Sequence, residues 1–212
     1  MFSHAGQFPE ATTAFEEAAR AHPASGTFVD LGLAEWQRGH AGPAILAWER
    51  AVWIDPYDAR ANGNLRFARQ VADVDAPELK WHEAISTLLP PNAWVWLAGV
   101  TLWLGIGLLV VPGVLRRRPS GWHHWLAAMA FGICLFSLTA NYGVVSRTHI
   151  GFVLGKNATL RLTPTQEGEV VTTLTAGEPA RALRTRGDFV FIRAATLSGW
   201  IEKRDFGLVC PQ

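Results

Sequence analysis

The sequence predicts a multidomain membrane protein with α-helical repeat hairpins at the N-terminus, a two-helix transmembrane hairpin, and a small all-β barrel at the C-terminus. Three observations predict it. Residues 1–75 repeat with a fixed period, residues 93–146 hold two long uncharged apolar runs, and residues 150–212 break into short β-type runs between turn signals. Composition agrees: 49% of the 212 residues are hydrophobic, 17% are charged, and five of the ten tryptophans fall between Trp94 and Trp125. A formal net charge of +1 gives no support to nucleic-acid binding, which needs a strongly basic stripe.

The N-terminal period is read from five pairs. Gly6, Ala11, Phe15, Ala18 and Pro23 recur 33 residues later as Gly39, Ala44, Trp48, Ala51 and Pro56. Each residue has a physical role in a helical hairpin. Glycine ends one helix and makes the turn. Alanines let two helices approach, the aromatic fills the space between them, and proline closes the second helix. With Leu31-Gly32 in the first helix, this pattern resembles the tetratricopeptide repeat, complete over about 25–58 and resumed by a further first helix near 59–71. The resemblance implies a concave face lined by first helices, with Val29, Leu33, Trp36 and Asn64 as candidate peptide contacts; the same residues suit packing against neighbouring helices. The first unit starts within its turn, because Met1 lies only five residues before Gly6, and no basic start with an apolar stretch precedes it. The expectation is a truncated or misassigned start, with a signal peptide and one helix upstream.

Residues 76–92 link the repeat to the apolar segment. Trp81, Ile85, Leu88 and Leu89 share one helical face, which suits an interfacial helix or a loose connector.

No charge interrupts residues 93–115, a run of 23 positions, or residues 121–146. Roughly 20 apolar residues cross the hydrocarbon core, so transmembrane helices are expected at 93–115 and 122–146. Residues 116–121 form the loop between them. Arg116, Arg117 and Arg118 in that loop are the topology determinants: they predict a cytoplasmic tip and both chain ends on the opposite side, which in a bacterial inner membrane is the periplasm. Trp94, Trp96, Trp122 and Trp125 stand where an aromatic belt is expected. Gly105, Gly107 and Gly132 allow close helix approach. His123 and His124 are adjacent, so they point about 100° apart on a helix and chelate poorly.

Five strands are expected, centred near Leu160, Val171, Ala182, Phe191 and Ile201. The turns between them are Thr163-Pro164, Ala176-Gly177-Glu178, Arg186-Gly187-Asp188 and Ser198-Gly199. Phe189 and Phe191, alternating with Val190 and Ile192, predict one buried face capped by Trp200. The order of Leu160-Arg161, Pro164, Val170-Val171, Gly177-Glu178, Gly187-Asp188-Phe189 and Gly199-Trp200-Ile201 resembles the bacterial SH3 domain over 150–212. This segment has no tyrosine, so polyproline binding is not expected.

Motifs of catalysis are missing: there is no His-Glu-x-x-His, phosphate loop, serine elbow or Cys-x-x-Cys. His149 and Cys210 are the one conceivable base–nucleophile pair, with nothing in the sequence to orient the base. No enzyme activity, cofactor or metal site is expected. Cys134 lies in an apolar run and Cys210 near the end, so no disulfide is expected either.

In its order of parts the chain resembles the BatE family of bacterial aerotolerance operons. The resemblance implies a non-catalytic inner-membrane scaffold, with von Willebrand factor A-type membrane proteins and a MoxR-type ATPase system as partners. The alternative is a periplasmic protein that senses or anchors to peptidoglycan through its SH3-like segment.

Overall fold

The computed structural model describes residues 8–114 and 121–210. Among them are seven α-helices and seven strands. They divide into two compact units. One combines the residues up to Glu78 with those from Arg147 onward, and the other is Leu79–Ser146. The helical repeat and the β segment, read from the sequence as separate modules, are therefore one body.

In the first unit, α1 (Phe8–Ala21) and α3 (Ala41–Ile54) begin 33 residues apart, the predicted period. Between them runs α2 (Ser25–Gln37), and α4 (Ala59–Ala72) follows. Gly39 makes the α2–α3 turn at φ +78°, a conformation glycine adopts without steric cost. Asp58 caps α4 by accepting from the amides of Arg60 and Ala61. The Ser25 hydroxyl donates to the same carboxylate at 2.7 Å and joins the starts of α2 and α4.

Helix α3 is apolar apart from the adjacent Glu49 and Arg50, and none of its residues is exposed. Ala47 and Ala51 face Phe28, Val29 and Leu31 within the helical layer. The opposite side faces strands. A Cβ on Gly42 would meet the Leu154 carbonyl oxygen at 2.5 Å, Ile45 abuts Gly177, and Leu46 abuts Gly207. Arg50 donates twice to the Leu208 carbonyl, at 2.9 and 3.2 Å.

The strands are β1 (Ile150–Val153), β2 (Ala158–Arg161), β3 (Val170–Leu174), β4 (Pro179–Arg186), β5 (Phe189–Ala194), β6 (Leu197–Glu202) and β7 (Phe206–Leu208). All pairings are antiparallel, in the order β3-β2-β6-β5-β4-β1-β7. The five expected strands are β2 to β6. The two missed strands, β1 and β7, are short and pair with each other beside α3. Their signal is weak because β1 is buried along its whole length and shows no alternation. The interior contains Val153, Leu160, Leu174, Val190, Ile192 and Ile201. The expected buried face holds in part: Phe189 and Trp200 are buried, but Val190 and Ile192 are the side chains that enter this interior. Phe189 and Phe191 stand on the other side of β5, because successive side chains alternate across a strand. Trp200 pairs with Phe191 on that side.

In the second unit, α5 (Trp81–Ser86) precedes the long helices α6 (Pro91–Val114) and α7 (Gly121–Arg147). Both long helices match the expected spans to within two residues, and both are long and apolar enough to cross a membrane. Arg116, Arg117 and Arg118 lie outside the described residues. Among the large residues of α6, Trp96 and Trp103 are 74% and 72% exposed. The buried positions of α7 are small: Ala127, Ala130, Cys134, Ser137, Ala140 and Gly143. Of the three glycines expected to permit close approach, only Gly105 meets a neighbour, with a Cβ there 3.0 Å from the Phe131 ring; Gly107 and Gly132 face open space.

Candidate interaction surfaces

The first surface starts from a small residue. Gly32 leaves room for the Trp48 ring to lie against α2, and the Trp48 indole donates to the Val29 carbonyl at 3.1 Å. Trp36 packs on Trp48 at 5.8 Å between centroids, and Phe67 meets Trp36 edge-on at 5.7 Å. The aromatic row thus runs from the buried core to the surface, where Phe67 is 55% exposed. Leu33 stands one turn from Trp36, and Val71 one turn from Phe67; they are 42% and 60% exposed.

Of the four expected contacts, Leu33, Trp36 and Asn64 lie on this α2–α4 surface, at least half-buried in the case of Trp36 and Asn64. Val29 does not, because it is fully buried in the helical core. Phe67 and Val71 were missed. Their signal was the four-residue spacing of Phe67 and Val71, an apolar pair beside the buried stripe Ala61, Leu65 and Ala68.

A second candidate is the side of the sheet away from its interior, where Arg184 is exposed, Phe191 half-buried and Trp200 buried. The register aligns Arg184, Phe191, Trp200 and Arg161 across four strands. The Arg184 guanidinium lies 4.8 Å from the Phe191 ring centroid and 5.2 Å from that of Trp200. The rings themselves are 5.2 Å apart.

Between the helices and the strands lies a row of buried charges. Burial pushes the Glu49 carboxyl above the usual carboxylate range, against the pull of Arg69, with which it is ion-paired, and of Arg147. Burial also lowers the Arg50 guanidinium below its ordinary value. At the edge of the helical layer, the Ser25 hydrogen bond holds the Asp58 carboxyl below its ordinary value, helped by the amides of Ala61 and Arg60 against partial burial.

In the second unit, the fully buried Glu83 accepts from the Lys80 amide at 2.8 Å and from the Ser146 hydroxyl. The Ser86 carbonyl accepts from the Trp94 indole at 3.2 Å. Helix α5 therefore turns its polar side, Glu83 and Ser86, inward, and leaves Trp81 exposed. Close approach to α7 at this point depends on Gly143, where a Cβ would collide with the His82 carbonyl.

The β1–β7 register, extended by the Val209 amide donating to the Ile150 carbonyl at 3.1 Å, brings His149 and Cys210 to the same level. Among the described residues the His149 imidazole has no hydrogen-bond partner, so nothing orients it as a base. No group of three or more His, Cys, Asp or Glu residues that could hold a metal ion occurs among the described residues. No protein-family model matches the sequence, and no curated protein or solved structure is similar to it.

Proposed function

We propose that the chain is a non-catalytic adaptor that spans a bacterial inner membrane through α6 and α7 and recruits a protein partner to the α2–α4 surface. The observation that carries the recruiting role is the aromatic row Trp48–Trp36–Phe67. It places a large apolar side chain at the surface on a rigid support, which is how interaction anchors are built. The spanning role rests on α6 and α7, most of whose large apolar side chains are exposed, Trp94 excepted. In water they would be unfavourable by about 1.5–3 kcal/mol each, and a bilayer removes that cost.

The helical period and the β segment are consistent with tetratricopeptide and SH3-like parts. A BatE-type role follows from that order of parts: assembly or support of von Willebrand factor A-type membrane proteins beside a MoxR-type ATPase. Both ends of α6–α7 then lie in the periplasm, opposite the three-arginine tip.

A photo-crosslinking residue at position 67, in the full chain in its native membrane, tests recruitment. A discrete product that disappears on Trp36→Ala supports the proposal. Crosslinks that are diffuse and unchanged by Trp36→Ala contradict it. Impermeant labelling of single cysteines placed at Ser120 and Ser198 tests orientation: only the latter should react from the periplasm.

A further inference from the structure

We infer that the free edge of β3 pairs antiparallel with the β3 of a second copy of this chain, joining the two sheets about a two-fold axis. The inference stays within the first compact unit and rests on neither the recruiting nor the spanning role. A sheet in the order β3-β2-β6-β5-β4-β1-β7 has two edges, and the structure treats them differently. The β7 edge is closed. Val209 donates to Ile150 in line with β1, so the Leu208 carbonyl next to it points away from β1, and Arg50 of α3 donates to it twice. Leu46 of the same helix fills the space beside Gly207. The β3 edge is open, with β2 as its one strand neighbour. Apart from the Thr172 hydroxyl, which reaches the Thr173 carbonyl at 3.5 Å, no group outside β2 hydrogen-bonds to β3 among the described residues. Alternate residues of such an edge turn both their N–H and their C=O toward solvent.

Backbone groups in a row are completed by an extended strand. Charge selects which strand. Between Glu169 and Glu178 there is no charged residue and no proline, so β3 has neither the lysine nor the proline that keeps strand edges apart. A charged peptide finds no counter-charge on this edge. A second β3 brings the same neutral row, and no like charges meet along it. The register shift against β2 leaves Val171 as an extra residue that bends the start of the strand, so the regular stretch available for pairing is Thr172–Leu174. Thr173 at its centre is exposed, and the exposed Val170 and Val171 beside it add apolar area. Because α3 closes β7, a second copy offers β3 as its one free edge among the described residues. Association through edges therefore stops at a symmetric pair and does not run on into a fibre. The stretch is short, so the pair is expected to exchange with monomer at micromolar concentrations.

The test is sedimentation of the full chain in a mild non-ionic detergent over a range of concentrations, with Cys134→Ala and Cys210→Ser to exclude disulfides. A monomer–dimer equilibrium without larger species is expected. Thr173→Lys and Thr173→Glu should each raise the dissociation constant about fivefold, and an equimolar mixture of the two variants should restore it. Mixing repairs a clash of charges across a shared edge, whereas it cannot repair a damaged fold. Monomer at every concentration overturns the inference. A dimer that both charges leave unchanged, or a weakening that the mixture does not relieve, also overturns it and moves the contact to another surface. Assembly beyond the dimer contradicts the closed pair. In native membranes, a photo-crosslinking residue at position 173 should give a product of two copies. A product with a different protein in its place overturns the inference and assigns the edge to a strand of that protein.

Discussion

Helix α3 and the pair α6–α7 are all mostly apolar, α3 being broken only by Glu49 and Arg50, and they differ in what surrounds them. Around α3, protein covers each face: alanines meet α2, while Gly42, Ile45, Leu46 and Arg50 meet the strands. Around α6 and α7, protein covers only a narrow seam. That seam is chosen by size rather than by apolar character, since α7 buries alanine, cysteine, serine and glycine and turns its large residues outward. The lesson is that an all-apolar helix says it must leave water, and the size of its buried residues says where it goes. On the α6 side the seam also takes in Trp94 and, against Gly105, the Phe131 ring, so small residues there make room for a few large ones.

The largest effect that would break this comparison concerns the strands without α3. A fragment of residues 150–212 lacks the helix that covers β1 and β7, and should show no cooperative thermal transition by circular dichroism. A sharp transition would mean that the β segment is an independent module after all. For the same reason, binding to peptidoglycan is measured on the full chain.

Next in size is the buried ion pair. Arg69→Met leaves Glu49 without its main partner and should destabilise the chain by about 3–5 kcal/mol, with much of that recovered in Glu49→Gln/Arg69→Met. Chemical denaturation of the two variants checks this. The native Glu49 carboxyl is raised, so it holds its proton more tightly folded than unfolded. The Arg69→Met variant should therefore gain stability as pH falls toward the ordinary carboxylate range, where the wild type gains less.

Within the apolar hairpin, Gly143→Ala should cost about 1–3 kcal/mol because its Cβ meets backbone, while Gly107→Ala and Gly132→Ala should change stability by less than about 0.5 kcal/mol. Unfolding in mixed micelles distinguishes them. Equal costs at all three positions would erase the seam. An effect at the low end of the Gly143→Ala range is expected at the α4 cap. Asp58→Ala should cost about 1 kcal/mol at neutral pH. Its native carboxyl is lowered, so its contribution is full above the ordinary carboxylate range and fades as pH falls through the lowered value. A pH series of melting temperatures should show the wild type converging on Asp58→Ala in acid.

Much of the fold was legible because its signals are local. The 33-residue period, Gly39 at the turn and the uncharged runs each act within one or two elements, and α1 to α4, α6 and α7 fall where those signals place them. What escaped depends on contacts between distant residues. Strands β1 and β7 are short and exist by pairing with each other under α3. Which side of the strands Phe189, Phe191 and Trp200 occupy depends on which of two alternating sets enters the interior, and a period of two does not say which. For Val29 the sequence leaves open a ligand face, shared with Leu33 and Trp36, or packing between helices, and the second is what its full burial shows. The Trp48 indole bonded to its carbonyl shows that its side of α2 is the inner one. For the same reason Phe67 escaped, since its support is Trp36 on another helix.

Photolabelling from within the bilayer tests the central contrast most directly. A carbene reagent that partitions into lipid is activated in vesicles holding the full chain, and the modified residues are mapped by peptide mass spectrometry. The account predicts modification of outward residues of α6 and α7, such as Trp96, Trp103 and Trp125, none at Thr101, Cys134 or Ser137, and none on α3 despite its apolar sequence. Labelling spread evenly around α6 and α7, or present on α3, would contradict it.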